Sequence, residues 1–339
     1  MLMSVFFLSA INARLRIDFD WIGILLFLCG LGYLVSFINE IKSIDGMSLY
    51  LMPLLGLLFC HLLALQSVQK EKIIRIYVMT SLMVFCFSIF MEPFIVVKEY
   101  GYLFQGTRLS GFALNPNIAA FYIIAHLLCI KLLSKNIPTI LLIISVISII
   151  ATFSRSGILC LVVLFIIDFL RNFTAVNKLK IIFLITPILV LFSVSDTMQN
   201  IENEYIDKFN FSRLNPYTQK QSLAQDNTRI DAIANYLDGI AESPIFGKGP
   251  LEGQSRKVRA HNTILNIWYE VGIFPALAFS FFLVLLFLKG YKQKSLLNVF
   301  ITCLIFTFFI NNLIMHSVFW LLLGCFYIAK RRINLQGRS

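Results

Sequence analysis

The sequence predicts an all-α, polytopic membrane protein with about 10–12 transmembrane helices. Hydrophobic residues make up 58% of the 339-residue chain and charged residues only 14%, a composition far from that of soluble domains. Apolar runs of about 16–25 residues recur along the chain between short charged turns, and each is close to the length of one membrane-spanning helix. A closed membrane barrel would instead show alternating residues in segments of about ten, a pattern that the sequence lacks.

The apolar runs define the predicted helices in order. They lie near residues 21–38, 48–66, 74–95, 115–133, 137–153, 157–170, 179–195, 263–288, 296–314 and 317–329. Residues 1–13 are apolar but lack the basic start of a signal peptide, so they predict a short or partial first span. We expect one membrane domain, in which N-terminal transmembrane helices (1–195) and C-terminal transmembrane helices with a tail (263–339) flank a long hydrophilic loop (196–262).

The basic residues predict how the chain is oriented. When the spans are threaded alternately, seventeen Lys and Arg lie in turns on one side, and only four lie in the short turns opposite. Positive-inside bias makes the richer side cytoplasmic, which places the long loop on the outer side and the C-terminus in the cytoplasm. The net charge of +11 therefore reflects membrane orientation, and nucleic acid is not an expected partner.

Cysteines and embedded charges narrow the classes of function. All seven cysteines lie inside apolar runs and no C-x-x-C occurs, so neither a zinc site nor a disulfide framework is indicated. Glu92, His126, Asp168 and Glu270 lie in or near spans, where a charge is costly and suggests function. A proton-relay transporter would need these groups to face one another, but they lie on different spans and at different depths. A transporter or channel is therefore the less favoured class.

The long loop contains one predicted helix, within D-N-T-R-I-D-A-I-A-N-Y-L-D-G-I-A-E-S-P. It starts with an Asp/Asn cap, ends at Pro244, and carries apolar residues on one face, at Ile230, Ile233, Leu237 and Ile240. Such a helix either lies on the outer membrane–water boundary or packs over the helix bundle. The segment P-I-F-G-K-G-P that follows turns the chain, and it lacks the spacing and the Ser/Thr of a Walker phosphate loop.

Two arginines predicted on the outer side are candidates for ligand binding. Arg155 lies in F-S-R-S-G, a minimal turn for which the small residues suffice and a guanidinium is not needed. If Arg155 has only a structural role, it extends its charged guanidinium group to the membrane interface. Arg229 is placed in the first turn of the loop helix, where a cation is mildly unfavourable. Pairing with Asp226 or Asp231 would explain Arg229 without any function.

The segment V-R-A-H-N-T ends the long loop just before an apolar helix. Asn262 or Thr263 can cap that helix, and the amides exposed at a helix start attract anions. His261 would face an anion held there. Gly272 and Pro275 then interrupt the apolar pattern, which predicts a short tilted or re-entrant helix before the span proper.

His261, Arg155 and Arg229 are predicted on the same outer face, although they belong to separate segments. Two guanidinium groups, an imidazole and helix N-termini suit a diphosphate, because guanidinium binds phosphate through paired hydrogen bonds. Arg259 belongs to the basic run Q-S-R-K-V-R-A beside the histidine. The structural interpretation of this run is that its charges are simply solvated.

The motifs, in this order, resemble the O-antigen ligase/polymerase superfamily of bacterial inner-membrane enzymes. They are F-S-R-S-G in an outer turn, N-T-R-I-D-A-I-A-N-Y-L-D-G-I-A-E-S-P-I-F-G-K-G in the long loop, and A-H-N-T-I-L-N-I-W-Y-E-V-G-I-F-P at its end. The segment R-L-S-G-F-A-L-N-P-N-I-A-A (108–120) also resembles the family pattern ahead of a span. The resemblance covers residues 105–290.

The resemblance implies an inverting transfer of a glycan from an undecaprenyl-diphosphate carrier on the periplasmic side of the inner membrane. It implies no metal ion and no other cofactor. The expected catalytic residues are His261, Arg155 and Arg229, and the expected substrate-binding residues are Arg155, Arg229, Arg259, Asn262 and Arg108. Apart from the lipid bilayer, the expected partners are the lipid-linked glycan and its acceptor.

Two points stay open at this stage. His261 is either a general base for the acceptor hydroxyl, because its unperturbed pKa lies near working pH, or a hydrogen-bonding contact to the phosphate. The acceptor is either lipid A-core, as in an O-antigen ligase, or another lipid-linked repeat unit, as in a polymerase. We favour the ligase, because the His261-Asn262 arrangement and the compact loop resemble ligases slightly more closely.

Overall fold

The computed structural model describes residues 21–39, 47–64, 68–92, 109–113, 115–134, 137–171, 233–249, 261–291 and 294–336. Its helices are α1 (Trp21–Asn39), α2 (Met47–Ala64), α3 (Val68–Met91), α4 (Pro116–Leu133), α5 (Thr139–Ala151), α6 (Arg155–Arg171), α7 (233–242), α8 (Thr263–Val271), α9 (Ile273–Gly290), α10 (Lys294–Thr307) and α11 (Ser317–Gln336). Short 3-10 helices lie at Gly111–Ala113 and Leu313–Met315. These described ranges hold no strand, and the predicted all-α class is confirmed.

Several helices have the length and composition of membrane spans. Within the described residues, three are long and apolar enough to cross a bilayer: Glu71–Met91, Pro116–Leu133 and Ile273–Gly290. Shorter apolar helices occur at Ile22–Val35, Leu51–Cys60, Thr139–Ala151 and Leu296–Thr307. Large side chains such as Phe87 and Phe281 are 63% and 59% exposed, which suits contact with lipid. The protein is therefore a polytopic helical membrane protein, as predicted.

Two compact units divide the chain. The first comprises Met1–Ser81, Ala125–Pro138 and Arg229–Ser339, and the second comprises Leu82–Ile124 and Thr139–Thr228. The units are defined by contacts in space, so each of them is built from segments that are far apart in the sequence. The predicted division along the sequence, with a long loop between two sets of spans, stays a prediction.

In the first unit, α1 packs between α2 and α9, and α2 packs against α11. Trp320 of α11 is almost fully buried, and its indole N–H donates to the carbonyl oxygen of Ile314 at 2.8 Å. The rings of Phe282 and Phe319 meet edge to face, with centroids 6.0 Å apart. Because lipid tails are as apolar as these side chains, close packing and internal hydrogen bonds hold such helices together.

In the second unit, α5 and α6 form a helical hairpin joined by residues 152–154. Glu92, at the end of α3, accepts hydrogen bonds from the backbone N–H groups of Ser110 at 2.6 Å and Gly111 at 2.7 Å. These bonds give this embedded carboxylate a structural role, because they satisfy it within the protein and anchor the 3-10 turn at Gly111–Ala113.

The predicted helix 226–244 is present in its described part, as α7, and it ends just before Pro244. Its buried face differs from the predicted one. Tyr236 and Ile240 are buried, whereas Ile233 and Leu237 are 42% and 49% exposed. The difference arises because Tyr236 finds an aromatic partner on α8, a tertiary contact that hydrophobic periodicity alone does not contain.

Two predicted spans differ from the observed helices. The apolar segment 263–288 is broken at Gly272 into α8 and α9, so the short helix predicted before the span is confirmed. The predicted span 296–314 is too long, because α10 ends at Thr307 and residues 308–316 form a largely non-helical connection to α11. The predicted span 179–195 lies outside the described residues.

Candidate functional site

Arg155 is the first residue of α6, and hydrogen-bonded hydroxyl groups build the turn before it. Ser154 Oγ caps the helix by accepting the N–H of Gly157 at 3.1 Å. The hydroxyl groups of Ser154 and Ser156 lie 2.8 and 3.3 Å from Oδ1 of Asn117, to which they donate. Both serines are fully buried, whereas Arg155 is exposed. A rigid turn thus presents this arginine at the surface of the second unit.

The beginning of α4 meets the same turn through Asn117. The N-terminus of α4 is capped by Asn115, whose Oδ1 accepts the N–H of Asn117 at 2.9 Å. The starts of α4 and α6 are therefore neighbours, and the partial positive charges of both helix starts favour an anion. Arg155 adds a full positive charge to this end of the second unit. Its phosphate-binding role stays a prediction.

His261 lies directly before α8 and has a left-handed backbone, with φ of +49°. Its N–H donates to Oδ1 of Asn311 at 2.8 Å. Asn262 is the N-cap of α8, since its Oδ1 accepts the N–H of Leu265 at 3.0 Å. Residues other than glycine adopt this left-handed conformation at a cost of about 1–3 kcal/mol, and they persist where neighbouring contacts hold them.

Thr263, the alternative cap, serves tertiary packing. It is fully buried, and its hydroxyl donates to the carbonyl oxygen of Ile310 at 2.7 Å and accepts the N–H of Leu313 at 3.2 Å. Residues 308–316, which we call the 308–316 connection, are therefore bonded to the start of α8. Both segments in this contact, the start of α8 and the 308–316 connection, lie in the first unit.

Glu270, Tyr33 and Asn312 form a buried polar cluster that joins three segments of the first unit. Asn312 Nδ2 donates to the Tyr33 hydroxyl oxygen at 2.7 Å, and the Tyr33 hydroxyl donates to Glu270 Oε2 at 3.3 Å. None of the three side chains is more than 6% exposed. The sequence singled out Glu270 but missed the other two. The available signal was the pair of asparagines at 311–312, which interrupts an apolar run.

His316 is the last residue of the 308–316 connection. Burial lowers the pKa of His316 to about 4, so this imidazole is neutral at physiological pH. We therefore assign His316 no role as a cation.

The turn P-I-F-G-K-G-P closes the other end of α8. The N–H groups of Lys248 and Gly249 donate to the carbonyl oxygens of Tyr269 and Glu270 at 2.7 and 3.0 Å. Gly249 has φ of +108°, a region that favours glycine. Because these amides cap a helix C-terminus, they do not form a phosphate loop, in agreement with the sequence interpretation.

An apolar groove of about 580 Å³ begins at this turn. One wall is α1, with Leu25 and Leu28 among its residues, and the other is α9, with Phe274 and Phe281. The groove lies within the first unit, and it is lined almost entirely by aliphatic and aromatic side chains. Such a lining suits a hydrocarbon chain.

The structure brings together only part of the predicted site. His261 and Asn262 are adjacent in the first unit, whereas Arg155 belongs to the second unit. Arg108, Arg229 and Arg259 lie outside the described residues. The joint diphosphate site therefore stays a prediction. Among the described residues, no group of three or more His, Cys, Asp or Glu side chains could hold a metal ion.

The fold and the site define an all-helical membrane protein in which a histidine precedes a short capped helix. A family model described as O-antigen ligase matches residues 140–280 of the chain. The match begins in α5 and ends in α9, which confirms the resemblance to the O-antigen ligase superfamily. It includes Arg155, Arg229, Arg259, His261 and Asn262, whereas Arg108 precedes it. A comparison with curated proteins gave no match.

Proposed function

We propose that this chain is a membrane glycosyltransferase that moves a glycan from an undecaprenyl-diphosphate carrier to an acceptor on the periplasmic side of the bacterial inner membrane. The observation that carries the proposal is the O-antigen ligase match over residues 140–280. The match includes the turn at Arg155, the entry to α8 at His261, and the first part of the apolar helix α9. These are the parts that a lipid-diphosphate donor requires: cations, a polar reactive group and an apolar surface.

The proposed reaction is a direct displacement at the anomeric carbon of the donor sugar. The acceptor hydroxyl oxygen forms the new bond to this carbon while the bond to the diphosphate oxygen breaks, and the configuration inverts. His261 takes the hydroxyl proton as general base. Arg155 and Arg229 stabilise the charge that develops on the departing diphosphate, a task that guanidinium groups perform through paired hydrogen bonds. The alternative role of His261 is a hydrogen bond to that diphosphate.

We assign the apolar groove between α1 and α9 to the polyprenyl tail of the donor. Its apolar lining, which runs from the turn that caps α8 along α1 and α9, supports this assignment. The groove and His261 belong to the same compact unit. The groove thus accounts for a donor that is a lipid instead of a soluble nucleotide sugar.

For the acceptor we favour lipid A-core, which makes the protein an O-antigen ligase, with a polymerase as the alternative. Deletion of the gene tests the choice. A missing ligase should leave lipid A-core without O-antigen while long lipid-linked polymer accumulates. A missing polymerase should leave lipid A-core capped with a single repeat unit. A lipopolysaccharide gel distinguishes the two patterns, and an unchanged gel would contradict both.

The same deletion strain tests the site when it expresses variants of the chain. His261→Ala should fail to restore transfer while its amount in the membrane equals that of the native chain. Lys248→Ala is the matched control, because Lys248 pairs with Glu242 at an exposed position and such pairs contribute little. Full restoration by His261→Ala would contradict the proposed chemistry.

A further inference from the structure

We infer that Asn311 is a positioning residue for this transfer and acts through the backbone of His261; the inference rests on the proposed function. The carboxamide Oδ1 of Asn311 accepts the N–H of His261 at 2.8 Å. The two residues are 50 positions apart in the sequence, with α8, α9 and α10 between them along the chain. The bond therefore links His261, the proposed reactive residue, to the 308–316 connection.

The conformation of His261 explains why such a bond is needed. Its φ of +49° lies in the left-handed region, which is costly for a residue other than glycine unless its surroundings offset that cost. The direction of the Cα–Cβ bond depends on that backbone conformation. If His261 relaxed to a negative φ, its Cα–Cβ bond would point in a different direction and the imidazole would occupy a different position. Fixing the N–H thus fixes where the imidazole begins, and a misplacement of about 1 Å is enough to lower the rate of a positioned reaction about 100-fold.

The 308–316 connection is held independently on both sides of Asn311. Before it, the carbonyl oxygen of Ile310 accepts the Thr263 hydroxyl at 2.7 Å. After it, Asn312 Nδ2 donates to the buried Tyr33 hydroxyl oxygen at 2.7 Å. The fold of the connection therefore has its own bonds, and the side-chain oxygen of Asn311 is used to hold His261.

The chemistry of this contact predicts which substitutions are tolerated. The N–H of His261 needs only an acceptor, so a carboxylate at position 311 should replace the carboxamide oxygen. A leucine has a similar size but no acceptor. Asn311→Asp and Asn311→Leu therefore separate the hydrogen bond from the volume of the side chain.

The test uses the full-length chain in detergent, with lipid-linked glycan and acceptor extracted from membranes of the deletion strain. Asn311→Leu should lower kcat by about 10- to 100-fold with little change in KM for the lipid-linked glycan. Asn311→Asp should keep kcat within about threefold of the native value. Hydrogen exchange at the His261 amide should accelerate in Asn311→Leu and stay slow in Asn311→Asp. Asn298→Leu, which makes the same replacement at a buried asparagine of α10, is the matched control and should leave that exchange unchanged.

The outcomes separate this inference from the proposed function. Equal losses in Asn311→Leu and Asn311→Asp, or native kcat and slow exchange in Asn311→Leu, would overturn the role of Asn311. If native kcat in Asn311→Leu accompanies an inactive His261→Ala, only this inference fails. If His261→Ala retains full transfer, or the native chain transfers nothing, the proposed function fails and this inference fails with it.

Discussion

At the scale of one residue, Arg155 is a proposed phosphate-binding group that lies in a structural turn. The buried serines on either side make the turn, so the guanidinium is not needed to form it. We predict that Arg155→Lys lowers transfer by about 100-fold, because a point charge does not replace paired hydrogen bonds to a diphosphate. Purified variant and native protein should be compared in the lipid-linked glycan assay. Equal rates would show that Arg155 only extends to the membrane interface.

At the start of α8, the sequence reveals only some of the side chains that meet there. His261 and Asn262 were identified from their order in the sequence, whereas Asn311 and Asn312 were not. A pair of asparagines in an apolar run indicates a break, but the identity of its partners depends on which distant segment packs there. His261 and Tyr33 are those partners, and both are far away along the chain.

At the scale of elements, the break at Gly272 separates the short helix that follows His261 from the apolar helix α9. Gly272 has φ of +96°, and a Cβ there would collide with the carbonyl oxygen of Ile245 in the capping turn. We predict that Gly272→Ala destabilises the protein by more than about 2 kcal/mol, through strain and this collision. Thermal unfolding in detergent measures it.

The control for this prediction is Val284→Ala, a change within α9 at a side chain that is 52% exposed. It should shift the unfolding midpoint much less than Gly272→Ala does, because about half of this side chain is exposed and the change adds neither a collision nor backbone strain. An unfolding midpoint of Gly272→Ala equal to that of the native chain would mean that α8 and α9 tolerate a different junction. The proposed separation of a polar entry from an apolar span would then lose its structural basis.

At the scale of the whole molecule, orientation decides whether the predicted site meets its substrate. Seventeen basic residues on one side against four in the short turns opposite predict a periplasmic long loop and a cytoplasmic C-terminus. A periplasmic reporter fused after Ser222 should be active, and one fused after Tyr291 should be silent. Both fusions should be compared at equal expression in whole cells. The reverse pattern would place His261 on the wrong side of the membrane for a periplasmic transferase.

The sequence by itself determined the class of the protein, most helix positions and the family resemblance. These depend on local quantities: the length of apolar runs, the breaks at Gly272 and Pro244, and the order of short motifs. Composition does not depend on tertiary contacts either, so the class of all-helical membrane proteins could be predicted without knowing any of them.

Only the tertiary structure decided which polar side chains meet. It buried Tyr236 where periodicity favoured Ile233 and Leu237, because an aromatic partner on α8 was available. It ended α10 at Thr307, because Thr263 and His261 bond to the segment that follows. Each of these outcomes depends on residues tens of positions apart, and the free energy of such contacts is absent from any local pattern.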